Sequence, residues 1–138
     1  MDLKDFKFHH IGLGLKKEDQ ALKFLVAQGY EPSDKIYDPK QDVNLRILTC
    51  EGRPTIEFVM PGENPEGPLK AILKHQNEVM YHTCYEVDDL DTALKSLANQ
   101  GFRAFPVAPR KPAVLFGGRH VSFYNIIGFG VIELLEPV

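Results

Sequence analysis

The chain has 138 residues, 43% of them hydrophobic and 25% charged, which suits one compact unit able to bury a core. Its net charge of −3 offers no basic field for a phosphate backbone, so nucleic acid is not an expected partner. No apolar run approaches the roughly 18 residues of a bilayer span, and the opening Met-Asp-Leu-Lys-Asp-Phe-Lys has no signal-peptide core, so no membrane partner and a cytoplasmic location are expected.

In chain order, alternating or short apolar stretches predict strands near residues 7–14, 30–37, 43–50 and 54–60, with a helix after the first of them. In that helix Ala21, Leu22, Leu25 and Val26 fall near the spacing of one apolar face. Pro61 to Pro68 reads as a turn-rich connector, and Leu69 to His75 as a short linking helix with His75 exposed. Strands near 80–87, 102–107, 119–125 and 130–136 follow, again with a helix after the first. Between 106 and 119 three prolines within seven positions predict a stiff loop. Cys50 and Cys84 lie in apolar runs, where buried free thiols are expected.

The two sets of elements are copies. Asp19-Gln-Ala-Leu-Lys-Phe-Leu-Val-Ala-Gln-Gly-Tyr30 returns 72 residues later as Asp91-Thr-Ala-Leu-Lys-Ser-Leu-Ala-Asn-Gln-Gly-Phe102, identical at seven of twelve positions. Gly29 and Gly101 stand where a left-handed residue ends a helix, and Asp19 and Asp91 are acids near its start. At the same offset His10 falls on His82, and at an offset of 76 Thr55-Ile-Glu57 falls on Val131-Ile-Glu133. The expected fold is α+β, two tandem βαβββ modules forming a curved mixed sheet around a central cleft. Module one spans about 5–62 and module two about 78–137 of a single domain, since neither half has enough layers to cover its own sheet.

A lone strand histidine is more often a satisfied core residue than a ligand, and His10 and His82 carry that alternative. Glu57 and Glu133 weigh against it, because each interrupts an apolar strand where an ionised carboxylate is costly unless paired or bound to a cation. One His and one Glu from each module, converging on a point, make an N2O2 set of charge −2 that matches one divalent ion. Ni, Co, Zn, Mn and Fe all suit such a set, which does not distinguish among them. His9 is expected on the opposite face from His10 by strand alternation. His120, Ser122 and Tyr124 share a strand face and read as ordinary sheet residues. Gly12-Leu-Gly14 lacks the third glycine of a nucleotide fingerprint, and Ser122 has no nucleophile elbow.

Phe8-His-His-Ile-Gly12, Ile56-Glu-Phe-Val-Met-Pro61, Tyr81-His-Thr-Cys-Tyr-Glu-Val-Asp-Asp89 and Val131-Ile-Glu-Leu-Leu-Glu136 resemble the four motifs of the vicinal oxygen chelate superfamily (glyoxalase, bleomycin resistance, dioxygenase), over nearly the whole chain. Within it the chain looks most like small bacterial glyoxalase I (lactoylglutathione lyase) and methylmalonyl-CoA epimerase. The resemblance implies that His10, Glu57, His82 and Glu133 hold the metal and that a proton next to a carbonyl is removed, with Glu133 first and Glu57 second as the base. It also implies a homodimer and a small-molecule substrate, such as a glutathione or coenzyme A thioester or adduct. Arg110, Lys111 and Arg119 would bind the anionic part of that substrate, against the plainer reading that they are solvated surface charges.

Some bacterial methylmalonyl-CoA epimerases carry a further glutamate on the strand matching Val43–Leu48, where this chain has Arg46 and no acid. A metal-independent small-molecule-binding or antibiotic-resistance protein of the same fold is the alternative. An extradiol dioxygenase, with two His and one Glu, leaves Glu57 unexplained.

Overall fold

The computed structural model describes residues 2–64 and 69–138, so residues 65–68 of the expected connector lie outside the described residues. The described residues form nine strands and three α-helices. They fall into two compact units, one of residues 10–81 and one of residues 1–9 with 82–138, so the division runs within the first strand of each copy.

In the unit of residues 10–81, β1 (Lys7–Leu15, shared at its start with the other unit) leads to α1 (Asp19–Ala27) and then β2 (Glu31–Pro32), β3 (Ile36–Asp38), β4 (Val43–Thr49), β5 (Ile56–Pro61) and α2 (Leu69–Ile72). β5 pairs parallel with β1 and antiparallel with β4, while β2 and β3 both pair antiparallel with β4. The sequence suggests one strand over 30–37. The structure breaks it in two after Pro32, which has no N–H to donate; Ser33 stays tied to β4, its N–H donating to Ile47 O at 2.7 Å and its hydroxyl accepting from Ile47 N at 2.9 Å.

In the other unit, β6 (Glu78–Glu86) is followed by α3 (Leu90–Asn99), β7 (Ala104–Pro112), β8 (His120–Ile126) and β9 (Gly130–Leu135). β9 lies between β6, parallel to it, and β8, antiparallel to it, and β7 pairs outside β8. The sheets of the two units are thus copies, with the last strand of each module beside its first. The three prolines of the expected loop instead lie in β7, and only residues 113–119 of it stay outside a strand. Its prolines are tolerated because β7 has one strand neighbour, β8, and the ladder slips at Pro106/Ala108 and Ala108/Lys111.

Both helices close in one way. The N–H of Tyr30 donates to Leu25 O at 3.1 Å and that of Gly29 to Val26 O at 3.0 Å, and Phe102 and Gly101 repeat the pattern on Leu97 and Ala98, each at 3.0 Å. These are paired Schellman closures, which the φ values of 101° at Gly29 and 86° at Gly101 make possible. The starts differ, since Asp89 caps α3 by accepting from Thr92 N while Glu18 gives α1 no side-chain cap.

Each helix covers one face of its sheet. In the first unit Leu15, Leu48, Ile56, Phe58 and Met60 form a buried cluster to which Ala21, Leu22 and Leu25 of α1 add. Val26, expected on that apolar face, is 47% exposed, because at about 100° per residue it lies at the edge of the arc that Ala21, Leu22 and Leu25 span. In the second unit Ile126, Ile132 and Leu134 pack with Ala93 and Leu97 of α3. Register places His10, Glu57, His82 and Glu133 on the faces turned away from these helices.

On that second face of the first unit, a Cβ at Gly14 would overlap Leu69 Cδ1 and stand 3.1 Å from Val79 Cγ1. Leu69 is 1% exposed and has little room to yield. Gly14→Ala is expected to cost about 1–2 kcal/mol by overpacking, read as a lower midpoint in a urea unfolding curve with an unchanged slope.

Candidate functional site

The register of the parallel strand pairs explains why each His meets a Glu. Gly12, two residues after His10, lies opposite Glu57, and Cys84, two residues after His82, lies opposite Glu133. Residues two apart share a strand face, so His and Glu are diagonal neighbours in both units, in the same register. The contacts follow: His10 Nε2 is 3.5 Å from Glu57 Oε1, and His82 Nε2 is 3.1 Å from Glu133 Oε1. All four side chains are at most 5% exposed.

The surroundings are apolar. On the Glu57 face β4 contributes Val43, Leu45 and Ile47, the last directly across from Glu57. On the Glu133 face Cys84, Val121, Phe123 and Leu135 are buried together. Phe123 stands across from Glu133 and meets the His82 ring edge-to-face, with centroids 5.3 Å apart. A buried imidazole and carboxylate in contact present a nitrogen and an oxygen donor to a borderline divalent ion. The donor chemistry therefore fits such an ion.

Arg46 is placed elsewhere. Its register partner is Phe58, on the helix-covered face. There its Nε donates to Glu18 Oε1 at 2.7 Å and its Nη1 to Ser33 O at 2.7 Å. This guanidinium, with Lys35 2.7 Å away, holds the Glu18 carboxyl below its ordinary range.

All three cations expected to meet substrate have contacts of their own. Arg110 makes a forked pair with Glu136, at 2.7 and 3.2 Å, which raises its already high pKa. Arg119 donates through Nε to Glu136 O at 2.8 Å and reaches Glu86 at 3.7 Å. Lys111 is opposite Val121, on the same face as Phe123 and Glu133.

His9 Nε2 lies 3.5 Å from Glu86, and its ring packs edge-on against Phe116. Tyr124 packs with the α3 cluster, whose face its strand neighbour Ser122 shares by alternation, and His75 is exposed after α2. Both cysteines are free thiols. Sequence reasoning missed Cys84 and Phe123 as the walls of the Glu133 position. The signal was the register itself, which the offset between the copies encodes.

A family model described as the glyoxalase/bleomycin resistance protein/dioxygenase superfamily matches residues 9–123. The chain belongs to that superfamily. The vicinal oxygen chelate fold is also that of solved structures at low identity. Methylmalonyl-CoA epimerase from Mycobacterium tuberculosis has a TM-score of 0.71 at 19% identity, over 96% of this chain and 88% of that one. A hypothetical protein from Bacillus halodurans has a TM-score of 0.74 at 20% identity, over 96% and 95%. A methylmalonyl-CoA epimerase variant from Streptomyces coelicolor, solved with 2-nitronate-propionyl-CoA, has a TM-score of 0.70 at 18% identity, over 96% and 97%. No curated protein matches. The superfamily and these structural neighbours include enzymes, and superfamily members bind a divalent metal. No helix among the described residues is long and apolar enough to cross a membrane.

Proposed function

We propose that His10, Glu57, His82 and Glu133 jointly hold one divalent cation, and that the chain is a metal-dependent isomerase or lyase that moves a proton next to a carbonyl. The observation that carries the reading is the doubled His–Glu pair, buried and in identical register in both units. A core histidine satisfied by a glutamate explains one such pair. Two copies, each placing an imidazole and a carboxylate on the side of its sheet turned away from the helix, are better explained by a shared ligand.

The ion, Ni, Co, Zn, Mn or Fe, would stabilise negative charge developing on the carbonyl oxygen. The residues supply the rest: two imidazoles fix the donor geometry, and a glutamate carries the proton. Between the two family activities, the β4 face favours the glyoxalase I kind, in which one base moves a proton between adjacent carbons. Val43, Leu45 and Ile47 offer no acid there, and Arg46 is tied to Glu18 on the other face. An epimerase of the methylmalonyl-CoA type remains the second reading, supported by the coenzyme A complexes of its structural neighbours.

The substrate in either case is a thioester or thiol adduct of glutathione or coenzyme A. Arg110, Lys111 and Arg119 would meet its anionic part, Arg110 and Arg119 by leaving Glu136 and Glu86, and Lys111 from its place opposite Val121 on the Glu133 face. Metal analysis of the purified protein, followed by proton exchange of thioesters and hemithioacetals in deuterated water, tests the reading. One tight divalent ion per chain and exchange that stops on chelation are expected. Failure to hold any divalent ion after reconstitution would leave the metal-independent binding protein as the better account.

A further inference from the structure

Phe123 meets both members of the His82–Glu133 pair. On β8 it stands directly across from Glu133, and its ring meets the His82 imidazole edge-to-face, with centroids 5.3 Å apart and planes at 84°. The ring is itself held: Phe123 is 8% exposed and packed with Cys84, Ala113, Val121 and Leu135. In the other unit the matching position, across from Glu57, carries the half-buried aliphatic Ile47. The duplication has therefore kept the donors in register while the residue across from the carboxylate has diverged.

A donor imidazole serves an ion only if its nitrogen lone pair points at the ion within roughly 10–20°. The side-chain torsion that turns a histidine ring is broad and selects no plane of its own, so packing neighbours decide it. An aromatic neighbour selects a plane, because ring edges and faces carry opposite partial charge and favour the T-shaped contact. An aliphatic side chain fills space without that preference. Resting on the metal site proposed above, we infer that Phe123 is a positioning residue of that site: it sets the plane of the His82 ring, and with it the affinity for the ion, without touching the ion.

Phe123→Met removes the ring while filling much of its volume, and Phe123→Tyr keeps the ring. Val121→Ala, in the same buried cluster, is the control for lost packing. Affinity is measured by calorimetry with cobalt(II) on the metal-free proteins. Ligand geometry is read from the visible spectrum of the cobalt complex and from its paramagnetically shifted imidazole proton signals.

Phe123→Met is expected to weaken cobalt binding about 10- to 100-fold, the loss typical when a group that orients a metal ligand is replaced, and to move the visible band and one set of imidazole signals. Phe123→Tyr should restore both affinity and spectrum. Val121→Ala should melt at a lower temperature and keep the wild-type affinity and spectrum. Should Phe123→Met not fold, Phe123→Leu makes the same comparison. Wild-type affinity and unmoved signals without the aromatic ring would overturn the inference. So would equal losses in Phe123→Met and Phe123→Tyr, or a loss as large in Val121→Ala, since packing alone would then account for the effect. Wild-type protein that binds no cobalt would instead overturn the metal site proposed above, and is seen before any variant is compared.

Discussion

His82→Ala is expected to abolish the rise in melting temperature that a divalent ion gives the wild-type protein, and to remove proton exchange with it. The imidazole is fully buried, 3.1 Å from Glu133 and braced by Phe123. An ion present at 1,000 times its Kd adds about 4 kcal/mol to the folded state, which for a chain of this size raises the melting temperature by roughly 10 °C or more. Losing one of four donors weakens binding enough to erase that shift at the same ion concentration, and His10→Ala should do the same from the other unit. His75→Ala, exposed after α2, is the control and should keep the full shift.

The comparison separates the metal reading from the plainer one. If each His–Glu pair merely satisfies itself in the core, His82→Ala lowers stability by exposing a buried carboxylate's need for a partner, and adding an ion changes neither protein. Thermal melts of both, with chelator and with added cobalt or nickel, decide between the two. A full metal-dependent shift in His82→Ala would remove His82 from the ligand set.

The candidate site was legible because a duplication repeats its chemistry. Identity between the two helical segments aligned the copies, and only then did Glu57 and Glu133 stand out as the same violation of an apolar strand made twice. What stayed hidden depends on partners distant in the chain. Arg46 looked available in a strand near the site, yet strand alternation sends it to the α1 face, where Glu18, 28 residues away, holds it. Arg110 and Arg119 stand out in the sequence as cations, but that Glu136 engages both is visible only in the fold. The prolines of β7 signal a loop by local rules, and only the single strand neighbour of β7 makes a strand tolerable there. The shared register of His and Glu was implicit in the two offsets, but face and depth needed the sheet.

The Glu18–Arg46 contact carries the other large effect, and it acts on stability. Glu18 is 9% exposed and Arg46 18%, and their bonds at 2.7 and 3.3 Å fasten the start of α1 to β4, while Arg46 Nη1 at Ser33 O also ties in the link between β2 and β3. Because Arg46 first, and Lys35 with it, lowers the folded-state pKa of Glu18, the ionised form is favoured by folding. That contribution is fully present above the unfolded-state pKa, near 4.5, and is lost as pH falls through the lower folded-state value.

Glu18→Gln should therefore cost about 2 kcal/mol at pH 7, and the gap to wild type should close as both are acidified through the lower folded-state pKa, where the wild-type side chain becomes neutral as well. Arg46→Ala should cost more, about 3–4 kcal/mol, by leaving a largely buried carboxylate with only Lys35. Urea unfolding of the three proteins from pH 7 to pH 3 measures both effects. A gap between wild type and Glu18→Gln that stays constant across that range would show that the bond acts through packing and hydrogen bonding alone. Neither substitution touches the His–Glu face, so the metal-dependent shift in melting temperature should survive in both, at a lower starting temperature.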